Sequence, residues 1–201
     1  MAKMNDIESS SSRGSIDGPI RSERIELIAA IPALLRAELT DRSLFSEMLE
    51  AAVPDSWPPE LYDREAAEWT INYLEGGAER AGWGLWYCIL LREPPGRRIL
   101  GGIAGYKGTP SPKGEVEIGY GILKEFRRAG YATEAAGALI ERAFSDPQVG
   151  AVIAETYPEL LASIGVLEKN GFELTGPGSE DRVIRFALAR SVFERRRDTA
   201  S

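Results

Sequence analysis

The stretch EFRRAGYATEAAGALIERAF, Glu125 to Phe144, decides how this chain is read. Ala132, Ala135, Ala136, Leu139, Ile140, Ala143 and Phe144 recur at i, i+3, i+4 and i+7, the spacing of one buried helix face. Thr133, Glu134, Glu141 and Arg142 lie off that stripe. The helix therefore starts near Ala129 or Gly130, with Arg127 and Arg128 at its mouth. The first turn of any helix carries unpaired N–H groups and a positive dipole end. Gly130 admits an unusual φ or a close approach to the backbone, and Ala132 has little bulk to obstruct one. Arginines stand where capping logic favours acidic side chains. Two readings fit: a site for a phosphate or pyrophosphate, or a solvated basic loop before an ordinary amphipathic helix. The stretch is neither a Walker loop, since no Gly-Lys-Ser/Thr follows, nor the three-glycine dinucleotide fingerprint.

Working outward, ERIELIAA alternates as a first strand, and Pro32 opens the helical region IPALLRAELTDRSLFSEMLEAA, with a break expected at Thr40 and Asp41. VPDSWPPELY is a Pro-rich loop. Asp63 is placed to cap REAAEWTINYLEGG, which ends at Gly76 and Gly77. Strands WGLWYCILL, RILGGIAGYKG and EVEIGYGIL follow, separated by the turns PPGR and TPSPKG. After the Glu125–Phe144 helix come a fifth strand, AVIAETY, the helix ELLASIGVLEKN closed by Gly171, and a strand pair, FELTG and VIRFALA. Strands that meander early and alternate with helices later give a mixed sheet covered by helices, an α/β (α+β mixed) fold.

Composition narrows the chemistry. With 201 residues, 43% of them hydrophobic, one domain is expected over residues 20–190. Residues 1–19 read as a disordered Ser-rich tail without the apolar core of a signal peptide, and residues 191–201 as a charged tail. No apolar run approaches the roughly 20 residues that span a bilayer. The lone Cys88 forms no internal disulfide, which fits a cytoplasmic location, and its apolar strand makes it a buried structural thiol. A net charge of −7 argues against nucleic acid as a partner. The absence of histidine excludes Ser-His-Asp and Cys-His catalysis and any His-ligated metal, and a single cysteine excludes a cysteine-rich zinc site. Catalysis must rest on carboxylates, Tyr, Lys, Ser, backbone groups or a cofactor.

RRAGYA resembles the Arg/Gln-x-x-Gly-x-Gly/Ala signature of the GNAT superfamily of acyl-CoA-dependent N-acyltransferases. EIGYGILKEFRRAGYATEA and ASIGVLEKNGF, in that order, are similar to the branch that contains the ribosomal-protein N-terminal acetyltransferases. The resemblance implies a mixed, mostly antiparallel sheet of about seven strands with helices on both faces and splayed fourth and fifth strands. It implies acetyl-CoA as cosubstrate, with its pantetheine arm on the backbone of Ile122 and Leu123. The pyrophosphate would rest on the N–H groups from Arg128 through Ala129, Gly130, Tyr131 and Ala132 to Thr133, supplemented by the charges of Arg127 and Arg128. No metal is implied, and a homodimer would be unsurprising.

Two positions depart from that pattern. Leu160 stands where many relatives have an Asn that contacts the cofactor arm, and Leu167 where many have a Tyr that protonates the departing thiolate. In this branch Ser can take the acid role, so Ser163 is the candidate, for cofactor contact as well as for catalysis. The departures keep open a second reading, a non-catalytic acyl-CoA-binding or interaction module. A nucleotide-phosphate enzyme of another type ranks third.

Acyl transfer within a ternary complex needs a neutral amine, a polarised thioester and a proton for sulfur, and no enzyme nucleophile. Strand alternation places Glu117, Gly119 and Gly121 on one face and Val116, Ile118, Tyr120 and Ile122 on the other. Two glycines beside a carboxylate leave an open groove, so Glu117 is the expected general base, directly or through water. Glu155 is the second carboxylate, and Glu115 reads as a surface residue. Tyr131 and Tyr157 are candidate hydroxyl donors, with Tyr131 more expected to cover the helix start and Tyr157 to pack against a neighbour; Trp57, Trp83 and Trp86 are candidates to line an acceptor pocket, with core packing the commoner reading for Trp83 and Trp86 and a lid role open to Trp57. The expected acceptor is a primary amine, either a protein N-terminus or a small molecule.

Overall fold

The computed structural model describes residues 18–92 and 96–200. In chain order the described elements are β1 (Ile20–Arg21), β2 (Ile25–Ala29), α1 (Pro32–Thr40), α2 (Arg42–Leu49), α3 (Arg64–Glu75), β3 (Leu85–Arg92), β4 (Arg97–Tyr106), β5 (Glu115–Ile122), α4 (Tyr131–Ser145), β6 (Ala151–Thr156), α5 (Leu161–Lys169), β7 (Glu173–Pro177), β8 (Ile184–Ala189) and α6 (Arg190–Ala200). The strands form one sheet ordered β1-β2-β3-β4-β5-β6-β8-β7. Every neighbouring pair is antiparallel except β5–β6, which is parallel. The eighth strand, against about seven expected, is the two-residue β1, too short to show an alternating pattern. The expected fourth and fifth strands are thus β5 and β6.

Local chemistry sets the helix ends. Pro32 occupies the first turn of α1, where its missing N–H is no loss. Asp41 then ends α1 and caps α2, its carboxylate accepting from the Ser43 and Leu44 N–H groups at 3.0 Å each. Asp63 caps α3 through the Ala66 N–H at 2.9 Å. The stripe of α4 lands as spaced: Ala135, Ala136, Leu139, Ile140, Ala143 and Phe144 are buried.

Two apolar clusters flank the sheet. Helices α4 and α5 and the start of α6 cover the face that carries Val116, Ile118 and Ile122. Helices α1, α2 and α3 cover the face that carries Tyr87, Ile89, Leu100 and Ile103. Gly121 lies opposite Ile103 in the β4–β5 register, so Glu117, Gly119 and Gly121 belong to the α1–α3 side.

Two terminal expectations meet different fates. Residues 1–17 of the Ser-rich stretch, and Pro94 and Pro95 of the expected PPGR turn, lie outside the described residues. The segment read as a charged tail is instead helix α6. Phe193 packs at a tilt on Phe144 with ring centroids 4.7 Å apart, and Arg190 donates to the carbonyls of Phe144, Asp146 and Val149, which gathers the end of α4 against the last strand. The charge count hid the apolar pair Val192 and Phe193 within that segment.

Candidate active site

The parallel pair β5–β6 is short. Its register runs Glu115↔Ala151, Val116↔Val152 and Glu117↔Ile153, although β5 continues to Ile122 and β6 to Thr156. Beyond Glu117 the strands part, while β5 keeps its pairing with β4 through Ile122. On the β4 side, Lys107 N–H donates to the Glu117 carbonyl and Leu123 N–H to the Gly101 carbonyl, each at 2.9 Å. Alternation then turns the backbone groups of Tyr120 and Ile122 toward the parting. Leu123 is differently placed from expectation: its N–H is used by β4, and its carbonyl accepts from Phe126 N–H at 2.9 Å. The Ile122 carbonyl accepts from Arg127 Nε, also at 2.9 Å.

At the end of the parting lies the mouth of α4. Gly130 is the N-cap with φ 86°, in the left-handed region, and supplies no side-chain cap. Arg128 shares that region with φ 63°, an unfavourable state for a side-chain-bearing residue. The first-turn N–H groups of Ala132 and Thr133 have no carbonyl one turn below them. Tyr131 is buried, with the Arg24 guanidinium over its ring at 5.1 Å, so it covers the helix start as its position suggested.

Arg24 carries no sequence signal, yet it organises this mouth. It donates to the Ala129 carbonyl at 2.8 Å and to Glu134 from its backbone N–H at 2.8 Å and its Nε at 2.9 Å. Ser22 Oγ adds a bond to the same carboxylate at 2.5 Å. Burial works to raise the Glu134 carboxyl, but the bonds from Ser22 and Arg24 outweigh it and hold the group below its ordinary range. Glu134 lies off the core stripe, so spacing alone gave it to solvent.

On the other face, a Cβ placed on Gly119 would meet nothing within 4 Å, and one on Gly121 would touch Ile103 and Pro59 at 3.7 Å. This is an open trough with Glu117 at its head. The Glu117 side chain is 21% exposed, and Lys107 Nζ is ion-paired with its Oε1. That contact is charge against charge rather than a well-angled hydrogen bond. Glu155 is engaged elsewhere. Its oxygens accept from Ser179 N–H at 3.1 and 3.0 Å and from Ser179 Oγ at 2.6 Å. Burial raises its carboxyl, but these bonds, with Lys107 and Arg185 nearby, hold it below the ordinary range. Glu115 pairs with Arg185 at 2.8 Å.

The loop between α2 and α3 walls this trough. Trp57 does not stand free as a lid. Its Nε1 donates to Glu38 Oε1 at 2.9 Å, while Tyr62 and Tyr87 hydroxyls donate to Glu38 Oε2 at 2.9 and 2.5 Å. Burial raises the Glu38 carboxyl despite these three donors. Glu60 reaches the mouth of α4, pairing with Lys124 at 2.7 Å and Arg127 at 2.8 Å.

Ser163 lies in the first turn of α5, and Tyr120 Oη donates to its carbonyl at 3.1 Å, with Ser163 Oγ 3.3 Å away. Leu167 is 1% exposed and belongs to the core, whereas Leu160 and Tyr157 are about two-fifths exposed, at 41% and 40%. Trp86 is fully buried, its Nε1 bonded to the Gly82 carbonyl at 3.0 Å. Cys88 is buried too, and burial pushes its thiol up to about 12. Among the described residues, no helix is long and apolar enough to cross a membrane.

A family model described as an acetyltransferase (GNAT) domain matches residues 33–173, and the chain belongs to that family. It is 40% identical over 150 residues to the protein named "Uncharacterized N-acetyltransferase YjdG" of Bacillus subtilis (strain 168), covering 75% of this chain and 86% of that one. The fold is similar to that of RimL, a ribosomal L7/L12 alpha-N-protein acetyltransferase solved with coenzyme A, with TM-score 0.58 at 17% identity over 87% of this chain and 99% of that one. It is also similar to the aminoglycoside acetyltransferase AAC(6')-Ib solved with coenzyme A and kanamycin, with TM-score 0.57 at 21% identity over 86% and 99%. The chain is an N-acetyltransferase of the GNAT family.

Proposed function

We propose that this enzyme transfers the acetyl group of acetyl-CoA to a primary amine, a protein N-terminus or a small molecule, by direct attack in a ternary complex in the cytoplasm. The observation that carries this reading is the parting of β5 from β6 immediately after Glu117. It leaves a slot with backbone groups on one wall, the α4 mouth at one end and the Glu117 carboxylate at the other. A thioester arm fits such a slot, because Gly119 leaves side-chain space unfilled and the α4 mouth offers N–H donors to an anion.

Bound acetyl-CoA supplies an activated carbonyl with a good leaving group. The protein supplies position and proton traffic. Ala132 and Thr133 N–H groups, with the charges of Arg127 and Arg128, hold the pyrophosphate. The backbone groups of Tyr120 and the Ile122 N–H offer hydrogen bonds to the arm, the Ile122 carbonyl being taken by Arg127. Lys107 occupies Glu117 Oε1, so Oε2 receives the proton of the incoming amine as the N–C bond forms. As the C–S bond breaks, its electron pair goes to sulfur, which leaves as a thiolate stabilised by a hydrogen bond from Ser163 Oγ–H.

Thiol release from acetyl-CoA in the presence of a panel of amines tests this reading. Release that depends on the amine, with acetylated amine found by mass spectrometry, supports it. Coenzyme A binding with no transfer to any amine would favour the non-catalytic module.

A further inference from the structure

The α5 helix enters the site with little of its own to hold it. It has nine residues, and its N-cap, Leu160, makes no side-chain hydrogen bond. Its far end is tied to α4, where Asn170 Nδ2 donates to the Thr133 carbonyl at 3.2 Å, and is packed through Leu167. Its near end, which carries Ser163, borders the parting where β5 has lost β6 as a partner. Tyr120 projects from that unpaired half of β5 and reaches Ser163 with its hydroxyl, 3.1 Å from the carbonyl and 3.3 Å from Oγ.

We propose that Tyr120 is the positioning residue for Ser163, anchoring the first turn of α5 across the strand gap and holding the serine hydroxyl at the sulfur end of the bound thioester. This rests on the acetyl-transfer reading above. One phenol serves both contacts: its O–H donates to the Ser163 carbonyl, and its oxygen accepts from Oγ–H until sulfur develops charge and takes that hydrogen bond over. Tyr120 gives up no proton itself. Burial pushes its hydroxyl up to about 12, whereas an ordinary thiol titrates near ~8.5, so proton transfer from the phenol to a thiolate runs uphill. The phenol stays protonated through the neutral range and remains a fixed donor. The polar anchor that Leu160 and Leu167 do not provide on α5 comes instead from the facing strand.

The test compares the wild type with Tyr120→Phe, Ser163→Ala and the double variant. Its readouts are kcat and KM with acetyl-CoA and an accepted amine, coenzyme A affinity by calorimetry, and Tm. Phe keeps the partly buried ring and removes only the hydroxyl. The expected result is a fall in kcat of about 10-fold for each single variant, the scale of one lost hydrogen bond. Coenzyme A affinity should stay within about twofold in each, and the double variant should be no slower than Ser163→Ala alone. Wild-type kcat in Tyr120→Phe, or single-variant losses that multiply in the double, would overturn the assignment. So would a loss confined to Tm and coenzyme A affinity, the mark of a merely structural tyrosine. A wild-type protein that binds coenzyme A and acetylates no amine would instead defeat the functional reading, so the two failures are distinguishable.

Discussion

Glu60 holds Arg127 at 2.8 Å and Lys124 at 2.7 Å, and so ties the loop between α2 and α3 to the mouth of α4. The bonds from Lys124 and Arg127 keep its carboxyl below the ordinary range. A pyrophosphate at the mouth must share Arg127 with this carboxylate. Glu60→Gln should therefore tighten coenzyme A binding a few-fold at low salt, with the gain shrinking as salt screens the exposed charges. Neutralising Arg127 and Arg128 should weaken binding with the same salt dependence. Calorimetry at two ionic strengths reads both. Affinity indifferent to all three changes would detach Arg127 and Arg128 from the cofactor.

Gly130 should tolerate no bulk. Its φ of 86° disfavours any side chain by roughly 1–2 kcal/mol, and a Cβ there would sit 3.2 Å from Arg24 Nη2. In Gly130→Trp the indole would crowd the unpaired N–H groups of the first turn. Coenzyme A affinity should fall severely while the circular dichroism of the folded chain persists. Unchanged affinity in calorimetry would place the cofactor elsewhere.

Glu117→Gln keeps the shape of the side chain and removes its basicity. Turnover should drop roughly 10²-fold or more, with coenzyme A affinity nearly intact. The deficit should narrow at high pH, where more of the amine is already neutral. A pH–rate profile equal to the wild type would take Glu117 out of the reaction. Glu155 would be a poor substitute in its present bonds, since three contacts from Ser179 occupy it.

The sequence made the frame readable because its signals were local. The helical stripe of α4, the caps Asp41 and Asp63 and the alternation of β5 each involve residues within a few positions of one another. The same alternation set Glu117 apart from Tyr120. What stayed hidden spans the chain. Arg24 meets Glu134 across 110 positions, and Glu60 meets Arg127 across 67. Nothing in PPELY or in SERIE marks those partners. Lys107 escaped notice for a similar reason: its pairing with Glu117 depends on the β4–β5 register, which hydrophobic pattern alone does not fix at a turn. Leu123 was misplaced by one step of the ladder, since only the observed bonds tell which residues of β5 face the gap.

Acid should loosen the α4 mouth through Glu134. Its folded-state pKa lies below the ordinary 4.5. The stabilisation is thus complete above the unfolded value and is lost as pH falls through the lower folded value. With Arg24 44% exposed, the contribution is discounted to roughly 1–2 kcal/mol. Glu134→Gln should lower Tm by a few degrees at neutral pH, and the gap to the wild type should close toward pH 3. A Tm difference constant across that range would assign the effect to packing rather than charge.

The central claim, acetyl transfer from acetyl-CoA to an amine at the parted strands, meets its most direct test in single-turnover thiol release. Enzyme in excess over acetyl-CoA is mixed with an amine panel that includes peptide N-termini, and the wild type is compared with Glu117→Gln. The account predicts amine-dependent release by the wild type, matched one for one by acetylated amine, and slowed about 10²-fold or more in the variant. Tight binding of acetyl-CoA with no release against any amine, or release at equal rates in both proteins, would contradict it.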